Sequence, residues 1–231
     1  MKSVLSIVLN NFVNDSRVLK ENISLSNNNY SPVIVALHDK GLQEKEIVAK
    51  VQVNRIKLKT KEWSKNKFIQ IIKYFEFLSK VFFRYRGYDI IHCNDLNALP
   101  IGVLLKLNTF GRTKLIYDAH EHETERNGLN YISRVYLKLI ERFLLIFVEK
   151  GITVSDGIAE EYKKIYKIEK PAVVLNAPYY QSPGINSKFN DMFEINKEEL
   201  IFIFQGALSK GRGIDQILEA FCDESLAKCH I

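Results

Sequence analysis

The sequence predicts an α/β protein: a Rossmann-like parallel sheet flanked by helices, followed by one βα unit of a second Rossmann-like domain. Three observations predict this. Short apolar, β-branched runs alternate with longer stretches of helical periodicity, the pattern of successive βαβ units. From Asn176 to Glu199 the composition shifts to Pro, Gly, Ser, Asn and Lys with weak periodicity, which reads as a linker with room for a short helical turn. A fresh apolar run, Leu200 to Phe204, then opens a second sheet. The first domain is expected over residues 1–180, the linker over 181–199 and the partial second domain over 200–231.

Val4 to Leu9 reads as the first strand. Asp15 or Ser16 can cap a following helix that runs through Asn28, because Val18, Leu19, Ile23 and Leu25 fall near helical spacing and an asparagine run marks the end. Val33 to Leu37 is the second strand, and Val51 to Leu58, alternating with period two, is the third. Between Phe68 and Arg86, Phe68, Ile71, Ile72, Phe75, Leu78 and Phe82 recur at steps of three and four, so a helix is expected to lay that face on the sheet. Asp89 to His92 is a short fourth strand. Leu96 to Leu107 is a helix whose start Pro100 sets near Asn97 to Leu99, since proline is tolerated only in the first turn. Leu115 to Tyr117 forms a fifth strand, Tyr131 to Phe147 a long helix with its apolar face on the sheet, and Ile152 to Val154 a sixth strand. Asp156 to Tyr166 is another helix and Val173 to Leu175 a seventh strand. Arg212 to Phe221 supplies the helix of the second sheet. One βα unit cannot bury a core by itself, so the chain reads as C-terminally truncated.

Composition narrows the function classes. The 231 residues are 46% hydrophobic and 26% charged with five prolines, as in an ordered globular protein. The net charge of +6 would suit a phosphorylated ligand or an anionic membrane surface. The basic, aromatic stretches Phe68 to Arg86 and Tyr131 to Phe147 would be the parts resting on lipid headgroups, as a peripheral contact. Nucleic acid is not expected, because zinc-finger spacing, RNP-like aromatics and an uninterrupted Lys/Arg run are all missing. Cys93, Cys222 and Cys229 make neither a CxxC pair nor an even framework, which favours a reducing cytoplasm and argues against structural metal. The richest apolar run, Phe143 to Val148, is far short of the roughly 20 residues a membrane span needs.

In a parallel sheet, ligands collect beyond the carboxyl ends of the strands, where helix N-termini also point. Those exits hold His92, Asn94 and Asp95 after the fourth strand, Asp118, His120 and Glu121 after the fifth, Ser155 and Asp156 after the sixth, and Asn176 after the seventh. His120 and Glu121 are the candidate catalytic pair, since an imidazole titrates near neutrality and a neighbouring carboxylate can orient it. Asp118 caps or braces the loop. Asn94, Asp95, Ser155 and Asn176 can hold sugar hydroxyls, although Asn94, Asp95 and Ser155 could equally serve as helix caps. A second cluster runs from Gln205 to Gly213. There Gly206, Ser209, Lys210, Arg212 and Gly213 form a glycine-rich basic turn before a helix, an arrangement in which backbone N–H groups and a cation meet a phosphate. It lacks the Gly-Lys-Ser/Thr ending of a Walker A loop, and Asn10 to Asp15 contains no dinucleotide fingerprint.

Taken in order, Asn14-Asp15-Ser16-Arg17-Val18, Ile91-His92-Cys93-Asn94-Asp95-Leu96, Tyr117-Asp118-Ala119-His120-Glu121, Ile152 to Ile158, Val174 to Pro178 and Gln205 to Gly213 resemble the GT-B fold glycosyltransferases of family 4. The resemblance covers nearly the whole chain. It implies a retaining transfer of sugar from a nucleotide sugar to a glycan or lipid-linked acceptor, with no required metal or other cofactor. It also implies an acceptor-side first domain and a donor-side second domain meeting at the reaction cleft. His120 matches the histidine that contacts the transferred sugar, and Arg212 the basic residue that holds the donor diphosphate. Two departures stand out. Asn10-Asn11-Phe12 replaces the glycine pair many members carry after the first strand, and Ala207 stands where many have a second basic residue. The paired-glutamate motif of the donor domain does not occur before Ile231, so the chain alone is expected to be inactive or incomplete. The rival expectation is a non-catalytic acceptor-binding subunit that works with a separate donor-domain partner chain.

Overall fold

The computed structural model describes residues 1–120, 130–178, 180, 182, 187–196, 198–206, 208, 211–226 and 228–230. Two units divide the chain, Met1–Ala177 and Pro178–Ile231. The first contains β1 (Lys2–Ile7), α1 (Ser16–Asn27), β2 (Tyr30–Leu37), β3 (Lys45–Val48), β4 (Val51–Ile56), α2 (Lys67–Arg84) and β5 (Ile90–Asn94). It continues through α3 (Leu99–Asn108), β6 (Lys114–Ala119), α4 (Tyr131–Leu145), β7 (Lys150–Thr153), α5 (Asp156–Tyr166) and β8 (Ala172–Val173). Its eight strands form one sheet in the order β3-β4-β2-β1-β5-β6-β7-β8, parallel throughout except for β3. The chain therefore winds outward from β1 to β4, then returns to β1's other side with β5. That reversal places a topological switch between the carboxyl ends of β1 and β5, the position where open α/β sheets bind ligands.

Strand alternation sorts the side chains into two layers. Val8, Ile34, Ala36, Val51 and Val53 pack with Val18 of α1 on one side. Leu5, Ile7, Ile91, Cys93, Leu115 and Tyr117 point the other way, onto α2, α3, α4 and α5. Helix α3 packs tightly on the strands: a Cβ on Gly102 would stand 2.3 Å from Cys93 Sγ and 2.7 Å from Leu115 Cδ1, so only glycine fits. Pro100 sits in the first turn of α3, as its chemistry requires. Among the described residues of the first unit, α1 is the helix that packs on the other side of the sheet. A groove of about 1220 Å³ runs beside it, walled by Val4, Ile90, Ile116, Ile152 and Val174.

The apolar faces of α2 and α4 are only partly spent on the sheet, contrary to the sequence expectation. Phe77 and Val81 of α2 are buried, while Phe68, Ile71, Phe75 and Phe83 are exposed. A helix on a sheet can bury only the side turned towards it, and both helices carry apolar residues well beyond that arc. In α4 the inward side includes a charge. Glu141 is fully buried and accepts hydrogen bonds from the hydroxyls of Tyr117 (2.7 Å), Tyr162 (2.7 Å) and Tyr166. That carboxylate ties α4 to β6 and α5 and sets the helix's rotation.

Strand β3 has no counterpart in the sequence reading. It pairs antiparallel with β4 through a two-residue turn, Ala49 and Lys50, both at positive φ (47° and 71°). Tight hairpins of this hand usually announce themselves by Asn-Gly or Asp-Gly, and Ala-Lys carries no such signal. Ala49→Asn with Lys50→Gly is accordingly expected to raise stability by about 1 kcal/mol, read as a higher urea midpoint at unchanged slope.

The second unit contains α6 (Lys188–Phe193), β9 (Leu200–Ile201), α7 (Ile214–Ala220) and β10 (Cys229–His230). The sequence expectation ended with one strand and one helix here. A second strand is present, because β10 pairs parallel with β9 and completes a βαβ unit.

Candidate functional site

The loop after β1 lacks glycine, yet it turns sharply. Phe12 takes φ 52°, buries its ring in the α1-side core and donates its N–H to Asn10 Oδ1 (2.8 Å). Asn10 also donates to Asp15 Oδ2 (2.8 Å), and Asp15 Oδ1 caps α1 by accepting from the Val18 N–H. Capping in this way fixes where the first turn of α1 meets the sheet. Arg17 and Glu21, four residues apart on one helical face, then project onto the strands at β5 and β6.

On the sheet, alternation brings His92, Asn94, Asp118 and His120 to that same α1-facing side, with Asn94 and Asp118 opposite one another in register. Asp118 is fully buried and forms a bidentate pair with Arg17, whose Nη2 lies 2.8 and 3.0 Å from its two oxygens. Arg17 Nη1 also donates to the Val174 carbonyl (2.6 Å), so one guanidinium joins α1, β6 and the segment after β8. Glu21 Oε1 lies 3.1 Å from Arg17 Nε. His92 Nε2 lies 3.7 Å from Asp118 and 4.0 Å from Glu21. His120 sits between two carboxylates: Nε2 is 3.4 Å from Asp118 Oδ2 and Nδ1 is 3.5 Å from Asp95 Oδ1. The Nε2 atoms of His92 and His120 lack an aligned hydrogen bond among the described residues, so these approaches are electrostatic.

This crowding shifts proton affinities in opposite directions. Burial, reinforced by the negative Asp118, pushes Glu21 up to about 7 against the opposing influence of His92 and Arg17. Burial alone would also raise Asp118, but the polar contacts of His120 and His92 and the Arg17 guanidinium outweigh it and hold the carboxyl well below its usual range. For His120, burial favours the neutral ring, yet Asp118 and Asp95 prevail and its proton affinity is raised. At neutral pH the cluster thus holds an anion at Asp118 and an imidazole biased towards its charged form.

The linkage has a definite sign. Glu21 and His120, both raised in the fold, contribute stability below their unfolded values that is lost as pH climbs through the folded ones. Asp118, lowered in the fold, contributes above its unfolded value and loses that only in acid. Wild-type stability is expected to decline between about pH 4.5 and 7 on account of Glu21, and Glu21→Gln to flatten that decline. Urea midpoints of both proteins across that range check it. Parallel curves would assign the dependence elsewhere.

Most of the sequence-nominated residues have a place among the described residues. His120 and Asp95 stand together at the β5 and β6 exits, the latter at φ 70° with its N–H on the Asp118 carbonyl (2.9 Å). Asn94 is buried and donates to the Ile7 carbonyl (3.2 Å), tying β5 to β1, while its Oδ1 has no hydrogen-bond partner among the described residues. Ser155 caps α5 by accepting from the Ile158 N–H. Asn176 is exposed. In the second unit, Gly211 and Gly213 hold positive φ (89° and 71°), and Arg212 Nη1 lies 3.6 Å from the position a Gly206 Cβ would take. Glu121, Ser209 and Lys210 lie outside the described residues. Arg17 and His92 sit within the quoted runs without an assigned role, and Glu21 lies outside them. The signal for all three is the Arg-x-x-x-Glu spacing on a helix that must cover a strand edge rich in His and Asp.

Glu21, Asp118 and His120 bring one ligand atom each to within 4.8 Å of one another and could hold a cation. Arg17 already neutralises both oxygens of Asp118, so a metal would have to displace a buried guanidinium. The groove beside α1 shares Glu21 and His92 with this cluster, and the strand exits, where the titratable side chains converge on His120, are the candidate site.

Residues 23–177, more than half of the chain, match the profile described as Glycosyltransferase Family 4. The chain belongs to that family. Among solved structures, sucrose-phosphate synthase from Thermosynechococcus elongatus is similar at 13% identity and a TM-score of 0.67, over 96% of this chain and 59% of that one. HepE of Anabaena, solved in complex with UDP and glucose, is similar at 16% identity and a TM-score of 0.64, over 99% and 60%. The lipopolysaccharide outer core galactosyltransferase WaaB follows at 13% identity and a TM-score of 0.55, over 99% and 67%. This family 4 chain thus shares the fold of these GT-B structures and spans about three fifths of the length of the first two. No curated protein sequence matches it. No helix among the described residues is long and apolar enough to cross a membrane.

Proposed function

We propose that the chain carries the acceptor-side machinery of a retaining glycosyltransferase that moves a sugar from a nucleotide sugar to a glycan or lipid-linked acceptor. The observation that carries this reading is His120, at the carboxyl end of β6 beside the topological switch, with a carboxylate facing each ring nitrogen. A ring so placed is biased towards the imidazolium and can donate to a sugar hydroxyl, or stabilise the charge that develops as a diphosphate departs. Asp118, fixed by Arg17, holds the ring from beneath. Family membership supports the reaction class, and the relative solved with UDP and glucose supports a nucleotide-sugar donor. Arg212 with Gly211 and Gly213 is the part we assign to the donor diphosphate. Three free thiols suit a reducing compartment such as the cytoplasm.

The test is turnover of a panel of nucleotide sugars with glycan and glycolipid acceptors, read as free nucleotide released. His120→Ala is expected to lower turnover by about a hundredfold, with an unchanged circular dichroism spectrum. Equal turnover by variant and wild type would overturn the role of His120. Turnover by wild type would exclude the non-catalytic acceptor-binding reading, which co-purification of a second Rossmann-like chain would favour instead.

A further inference from the structure

We propose that Glu21 is a positioning residue for His120: its carboxyl carries a proton beneath the imidazole and, once that proton leaves for solvent, supplies the anion that keeps the ring charged at higher pH. The consequence for catalysis rests on the reading of His120 given above, whereas the coupling itself is measured without turnover.

Geometry carries the inference. Glu21 projects from α1 onto the strands, where it, Asp118 and His120 each bring one polar atom to within 4.8 Å of the others. Neither Glu21 oxygen has an aligned hydrogen-bond partner among the described residues, although both are shut off from solvent. Two carboxyls this close and this buried resist ionising together. Asp118 takes the negative charge, because Arg17 Nη2 reaches both of its oxygens (2.8 and 3.0 Å) while only Arg17 Nε approaches Glu21, at 3.1 Å. The proton therefore stays on Glu21, in keeping with a carboxyl that burial and Asp118 push up to about 7. When it leaves, a second anion stands beside His120, and an opposite charge at that range holds an imidazole proton to higher pH.

The other charges near Glu21 have partners of their own. On the same helix Lys20 reaches the Ala177 carbonyl (2.5 Å). Along the groove that Glu21 lines, Lys150 pairs with Glu169, Lys170 with Asp156 and Glu160, and Glu149 with Lys106. From β5, His92 Nε2 stands 4.0 Å from Glu21 Oε2 and 3.7 Å from Asp118 Oδ2, which makes this ring the competitor of His120 for the same anions. Asp95 faces the other nitrogen of His120, at 3.5 Å.

The test follows the five histidine rings of the full chain by NMR from about pH 5 to 9, with the His92 and His120 signals assigned by their loss in His92→Asn and His120→Asn. Glu21→Gln matches the protonated acid in shape and is expected to lower the His120 midpoint by about one pH unit. Glu21→Asp keeps a carboxyl and is expected to fall between that variant and wild type. Glu169→Gln, which removes an exposed acid from the same groove, is expected to leave the midpoint in place. A His120 midpoint that neither Glu21 variant moves overturns the proposal. So does a shift confined to His92, or an equal shift in Glu169→Gln. With a donor that turns over, the alkaline limb of the rate profile is expected to move down together with the ring in Glu21→Gln. A ring that shifts while this limb stays in place would overturn the catalytic role of His120 and bear out its coupling to Glu21.

Discussion

Asp118→Ala is expected to destabilise the chain by about 3–5 kcal/mol, because it strands the Arg17 guanidinium in a buried position. Arg17 is 5% exposed and directs Nη2 and Nε at that one carboxylate, so little water can replace the lost partner. The reciprocal Arg17→Ala should cost less, because His120 and His92 remain beside the buried carboxylate. Replacing both, Asp118→Leu with Arg17→Met, should recover much of the loss, since a pair removed together leaves neither charge uncompensated. Urea unfolding of the four proteins measures the coupling. A loss below about 1 kcal/mol for either single variant would mean that the pair is solvated and the network does not hold His120 in place.

Glu141→Ala is expected to cost about 3–5 kcal/mol, since three tyrosine hydroxyls lose their shared acceptor at a fully buried position. Glu141→Gln keeps an oxygen acceptor but gives up the charge and should cost less, about 1–2 kcal/mol. The order Ala worse than Gln, in thermal or urea unfolding, is the diagnostic result. Tyr117→Phe, which removes one hydroxyl while leaving two, should fall near the Gln variant. Equal midpoints for all would show that the tyrosines are satisfied elsewhere.

The site was unevenly legible from residues alone. His120 and Asp95 could be nominated because strand exits in a parallel sheet face one edge, and the pattern of apolar runs located those exits. Asn94 was nominated on the same grounds and is buried within the strand, since β5 extends through Asn94, two residues past the end expected from the apolar run. Arg17 and Glu21 escaped a role because their partners, Asp118 and His92, are 101 and 71 residues away in the chain, and helix periodicity does not say what lies opposite. Glu141 escaped because a charged residue in an amphipathic helix ordinarily belongs to the wet side.

Local pattern alone determined the alternation of strands and helices, the caps at Asp15 and Ser155, the proline-set start of α3 and the parallel class of the sheet, since these depend on neighbours within a few residues. Only the tertiary structure decided the antiparallel β3, the ion pair that supports His120, the inward turn of Glu141 and the outward apolar stripes of α2 and α4. Those outcomes depend on which surfaces meet, and burial energy is a property of both surfaces at once.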